Sequence, residues 1–170
     1  MASESTGNNN PQIIRLIRSY KQNQYFDYNL AVNWAYQLME SGIESETIYM
    51  LASFTKPVNS NEVIPYISAV LKELNITEKV GDDATLSEIS YYLSEIVCDR
   101  KVRINLGHVY RIALDTNCAF GLEPFYMLYY AWDELEELGV NYYYGGANKA
   151  NIESLLKEEA QKWLNEHVID

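Results

Sequence analysis

Residues 27–43 read DYNLAVNWAYQLMESGI. Leu30, Ala31, Trp34, Ala35 and Leu38 recur there at i, i+1, i+4, i+5 and i+8, a spacing that gathers side chains into one stripe along an α-helix. Asp27 stands ahead of the stripe, where a short acceptor side chain can cap the N–H groups that a helix leaves unpaired at its start. Gly42 ends it. Glycine takes the left-handed conformation without steric cost at the position after a helix cap, and Ile43 can then fold back on Leu38, as in a Schellman ending. So short a turn sends the next helix back antiparallel.

Helical spacing continues in both directions. A first helix is expected over Gln12–Lys21 with Ile13, Ile17 and Tyr20 inward, and a third over Ser45–Phe54 with Ile48, Leu51 and Ala52 inward, stopped by Pro57. Asn59-x-x-Glu62 has the form of a capping box opening a fourth helix with Ile64, Ile67, Leu71 and Leu74 inward, and Pro65 near its first turn invites a small kink. Gly81-Asp82-Asp83 is a polar break. Thr85-x-x-Glu88 then opens a fifth helix with Leu86, Ile89, Leu93, Ile96 and Val97 inward. The sixth, Asn105–Thr116, carries Leu106, Val109, Tyr110, Ala113 and Leu114 inward. Pro124 suits the first position of a seventh with Phe125, Leu128, Tyr129, Trp132 and Leu135 inward, and Gly139-Val140 repeats the ending at Gly42-Ile43. A loop over Tyr142–Asn148 leads to a last helix, Ala150–Glu166, with Ile152, Leu155, Leu156, Trp163 and Leu164 inward.

No segment alternates with the period of two that marks a half-buried strand. The expected fold is therefore all-α, a compact array of about eight helices packed as antiparallel hairpins, either an orthogonal bundle or a short α-solenoid-like stack. No repeat of about 33–47 residues runs over three units. Residues 11–170 are expected to form a single domain, since a chain of 170 residues can bury a core unaided. Residues 1–10 have no lysine, arginine or apolar run, so they read as a disordered tail and not as a secretory signal or transit peptide. No apolar stretch approaches the roughly 18 residues of a membrane span, and a cytoplasmic location is expected. Cys98 and Cys118, with no second pair, fit neither a zinc quartet nor a Cys-x-x-Cys motif and read as buried thiols.

Catalytic equipment is sparse. His108 and His167 are the sole histidines, no Gly-x-Ser-x-Gly elbow surrounds a serine, and no metal-ligand spacing occurs, so no catalytic residue, metal or cofactor is expected. Gly145-Gly146 lacks the Gly-Lys-[Ser/Thr] of a phosphate loop and reads as a connector. The many carboxylates fall in runs on expected exposed faces, where ordinary pKa values suit them poorly to acid–base work.

The net charge of −11 opposes nucleic-acid binding, and the small cluster Arg100, Lys101, Arg103 reads as solvation. A charged partner is expected to be basic. Fifteen tyrosines are the compositional oddity. On the fifth helix Glu88, Tyr91, Tyr92 and Glu95 fall together opposite the apolar stripe; on the seventh, Tyr126, Tyr130, Asp133 and Glu137 share a sector beside it. Tyr142 and Tyr143 follow on the loop. Asp133, Glu134, Glu136 and Glu137 moreover crowd the last turns of a helix, where the macrodipole favours cations; a lysine or arginine from a neighbouring helix would offset that cost. Tyrosine offers contact area at little rotamer entropy, and carboxylates around it steer a basic partner.

The ten residues from Glu88 to Tyr143 named above are thus the expected partner-binding surface of a non-enzymatic protein-binding module. In overall character the chain looks like immunity or antitoxin-type inhibitors. Two other readings stay open: a helical scaffold or homodimer whose tyrosines meet across a two-fold axis, and a small-ligand binder or enzyme with a tyrosine-lined pocket.

Overall fold

Helices form wherever the apolar stripe recurs. The computed structural model of the chain describes residues 12–170, so the tail expected over 1–10 lies outside the described residues. Eight α-helices are found there, α1 (Ile13–Ile17), α2 (Asn29–Glu40), α3 (Glu46–Ala52), α4 (Ser60–Glu73), α5 (Gly81–Val97), α6 (Val102–Asp115), α7 (Glu123–Leu138) and α8 (Ile152–Glu166), with no strand among the described residues. The all-α class and the antiparallel helical hairpins expected from the sequence are present. Where the sequence suggests one domain, the backbone gathers into two compact units, one ending at Ser87 and the other Glu88–Asp170, and the division falls inside α5. No helix among the described residues is long and apolar enough to cross a membrane.

In the first unit, Ala31, Val32, Trp34 and Ala35 of α2, Ile48 and Leu51 of α3, and Val63, Ile67 and Leu71 of α4 form the core. Asp27 accepts from the Asn29 amide at 3.0 Å and so caps the turn that leads into α2. Ser45 caps α3 by accepting from Ile48 N at 3.2 Å. Helix α1 is shorter than expected because the Ser19 hydroxyl bonds back to Leu16 O and the Tyr20 amide reaches only to Ile17 O, a tightening that ends the α-helical ladder. Within Gly81-Asp82-Asp83 the expected break is instead the first turn of α5, where two aspartates complement the helix dipole; Thr85 bonds back to Gly81 O and caps nothing.

The ending at Gly42 is as expected: Ile43 N donates to Leu38 O at 2.9 Å and Gly42 N to Met39 O at 3.0 Å. The same two bonds close α4, α5 and α6, but with Asn75, Asp99 and Asn117 as the left-handed residue. At Gly139 the expected repeat is replaced by a single bond from Gly139 N to Leu135 O. In the second unit Leu106, Val109 and Ala113 of α6, Phe125, Leu128, Ala131 and Leu135 of α7, and Ile152, Leu156, Ala160 and Trp163 of α8 make the core. The two thiols are not buried as expected, Cys98 being exposed and Cys118 half-exposed, because both lie at helix ends.

Candidate protein-interaction surface

The tyrosines of the second unit gather on the α6–α7 hairpin. Tyr110 of α6 stacks flat on Tyr129 of α7 with centroids 3.8 Å apart, and its hydroxyl shares a 2.8 Å hydrogen bond with that of Tyr130. Tyr126 stands 5.1 Å from Tyr130 one helical turn away, edge to face. Tyr143 then stacks on the other side of the group, 5.0 Å from Tyr130. Such pairs contribute about 0.5–1.5 kcal/mol each beyond area burial. The hydrogen bond to Tyr130, with burial behind it, pushes the Tyr110 phenol well above the ordinary tyrosine range. Tyr110 and Tyr129 are thus half-buried members of an aromatic cluster and not the core residues that their stripes suggested.

Arg103 in the first turn of α6 meets the acidic end of α7. Its guanidinium lies 5.2 Å from the Tyr129 centroid and 5.0 Å from that of Trp132, and it pairs with Asp133 and, at 3.8 Å, with Glu136. Nη1 of Arg103 is enclosed with no hydrogen-bond partner among the described residues, so ring stacking holds that side of the group. Glu134 accepts from the Tyr142 amide at 2.8 Å. Three of the four carboxylates set against the helix dipole thereby have structural partners, and the arginine that read as solvation compensates two of them.

The segment after α7 is held by side chains that imitate backbone. Asn141 accepts from the amides of Tyr143 and Tyr144 and donates to Ala147 O, while Asn151 donates to Gly146 O. The Tyr144 hydroxyl donates to Glu159 of α8 at 3.0 Å; burial and this bond push its pKa up to about 12. What remains outward is Tyr142, 85 % exposed, with Tyr143, Leu138, Val140, Glu136 and Glu137. No lysine or arginine occurs between Arg111 and Lys149. Leu138 and Val140 belong to no inward stripe; their position on either side of Gly139 at the end of α7 is the cue the sequence offers.

The expected face of α5 is different. Tyr91 and Tyr92 are only 8 % and 5 % exposed, and Glu95 is likewise buried, so they present no surface. Burial around the middle of α5 extends beyond its apolar stripe: Ser87 and Ser90 are fully buried as well, and small side chains let neighbouring backbone approach. Glu95 is satisfied by a forked pair with Arg100, at 2.9–3.2 Å. Tyr92 stacks on His108 at 4.5 Å. Glu88 departs from the ordinary carboxylate behaviour expected of it: burial, with the charge of Asp115 nearby, pushes its pKa up to about 7.

Tyr126, Tyr130, Asp133, Glu137, Tyr142 and Tyr143 are therefore brought to one hairpin and its following segment, whereas Tyr91, Tyr92 and Glu95 are buried and Glu88 is half-buried. Among the described residues no group of three or more His, Cys, Asp or Glu side chains gathers as metal ligands would. No protein-family model matches the chain, and the searches of curated proteins and of solved structures return no match to it.

Proposed function

We propose that this chain is a non-enzymatic module that binds a basic protein partner, in the manner of immunity or antitoxin-type inhibitors, through the end of α7 and the segment after it. The observation that carries this reading is the exposed set Leu138, Val140, Tyr142 and Tyr143 beside Glu136 and Glu137, in a stretch of 37 residues with no basic side chain. Apolar and aromatic area of this kind supplies the central contact of an interface, and the exposed carboxylate of Glu137, with Glu136 only partly offset by Arg103, accelerates encounter with a cationic partner. The tyrosine stack behind Tyr143 lowers the ordering cost of binding, because the contact side chain is already held.

The test is affinity capture from the native host with the unaltered chain and with a Leu138→Ser, Tyr142→Ala, Tyr143→Ala variant, after circular dichroism has shown equal helicity. A captured protein of high isoelectric point that is lost with the variant supports the reading. Equal capture by both chains, an acidic partner, or a homodimer by light scattering that the variant dissolves would each overturn it.

A further inference from the structure

The α2–α3 hairpin of the first unit carries a second aromatic and acidic surface. Its inner side is taken up by the core residues already named. On the outer side Tyr36 is 51 % exposed, Tyr49 and Met50 44 % each, and Ile43 in the connecting turn is exposed too. Each large side chain of the two helices lies one turn from a carboxylate: Tyr36 from Glu40, and both Tyr49 and Met50 from Glu46. Hydrogen bonding to Glu44 in the turn, with some desolvation and the negative charge of that carboxylate, holds the Tyr49 phenol above the ordinary tyrosine value. No lysine or arginine occurs between Lys21 and Lys56, and Lys56 itself is tied to Asn33 near the start of α2, so Glu40, Glu44 and Glu46 set the charge at the turn end of the hairpin.

We propose that the outer side of the α2–α3 hairpin is a docking surface for a segment of a partner protein that presents aliphatic side chains flanked by lysine or arginine. Tyrosine and methionine are the side chains enriched at interface centres, methionine because it adapts its shape to the surface it meets. The acidic rim selects the sign of the partner and repels acidic competitors. This surface shares no residue with the one at the end of α7 and stands or falls separately from it.

The experiment uses the full chain, ¹⁵N-labelled, titrated with a synthetic amphipathic helix bearing leucines on one face and lysines beside them, and with the same peptide carrying glutamates for lysines. Shifts centred on residues 36–50 are expected with the lysine peptide. Tyr49→Ala with Met50→Ser should weaken it about tenfold, the ordinary effect of removing an interface anchor. Glu44→Gln with Glu46→Gln, which leaves the apolar contact in place, should weaken it and flatten its salt dependence. Shifts confined to residues 134–143, no shifts at all, equal binding of the glutamate peptide, or affinity untouched by both variant pairs would overturn the proposal.

Discussion

Tyr143 lies stacked on Tyr130, centroids 5.0 Å apart and planes inclined by 24°, so the segment after α7 is bound to the helix it leaves. Tyr130→Ala should remove that stack together with the hydrogen bond to Tyr110, at a cost of about 2 kcal/mol in urea unfolding. Tyr130→Phe keeps the stack and should cost about 1 kcal/mol or less. Amide hydrogen exchange at Tyr143 and Tyr144 should quicken with the alanine variant alone; equal exchange in both variants would mean that Asn141 suffices to hold the segment.

Arg103→Met leaves Asp133 and Glu136 at the acidic end of α7 without their cation. Methionine preserves much of the contact with Tyr129 and Trp132, so the loss is chiefly electrostatic and, for groups this exposed, about 1 kcal/mol or less. Thermal melts should show a larger deficit at low salt than at high salt. Adding Asp133→Asn and Glu136→Gln should recover part of it, and a deficit indifferent to salt and to these changes would assign Arg103 a packing role only.

Glu88 is a pH-dependent weakness in the fold. Its folded pKa of about 7 lies above the ordinary 4.5, so the folded state binds a proton that the unfolded chain has released between those values. Stability is therefore greatest below about pH 4.5 as far as this group is concerned, and falls as pH rises through 7. Glu88→Gln should raise stability at pH 8 by about 1–3 kcal/mol and have little effect near pH 4.5. Urea titrations at the two pH values decide it; a variant no more stable than the unaltered chain at pH 8 would place the carboxylate in water.

Asn117 holds φ of +52° after α6, where an L side chain meets steric cost. Asn117→Gly should be neutral or stabilising by up to about 1 kcal/mol, while Asn117→Val, β-branched in the same conformation, should destabilise by about 1–2 kcal/mol. If valine is tolerated in thermal melts, the left-handed ending is not required to close α6.

Stripes, the cap at Asp27 and the glycine ending at Gly42 made the helices legible because each depends on neighbours within one turn. Endings at Asn75, Asp99 and Asn117 were not legible, since asparagine and aspartate serve equally in caps, turns and helix starts. The wheel of α5 separates an apolar stripe from Tyr91, Tyr92 and Glu95, but a wheel says nothing of how many sides of a helix are covered. Likewise Arg103 looks solvated in sequence, because Asp133, thirty residues away, is what gives it a partner. At the end of α7 the tyrosine and carboxylate spacing coincides with an exposed edge of the fold, at Glu137 and onward into Tyr142 and Tyr143.

The stacked phenols of Tyr110, Tyr126, Tyr129, Tyr130 and Tyr143 also make the second unit its own optical probe. Rings this close exchange excitation and couple their ultraviolet transitions, and Trp132, sharing Arg103 with Tyr129, is placed to collect the energy as emission. A molecule that grips Tyr143 must disturb the outermost member of that array. Engagement of this edge should thus be visible in tyrosine-excited tryptophan fluorescence, without any label attached to the chain.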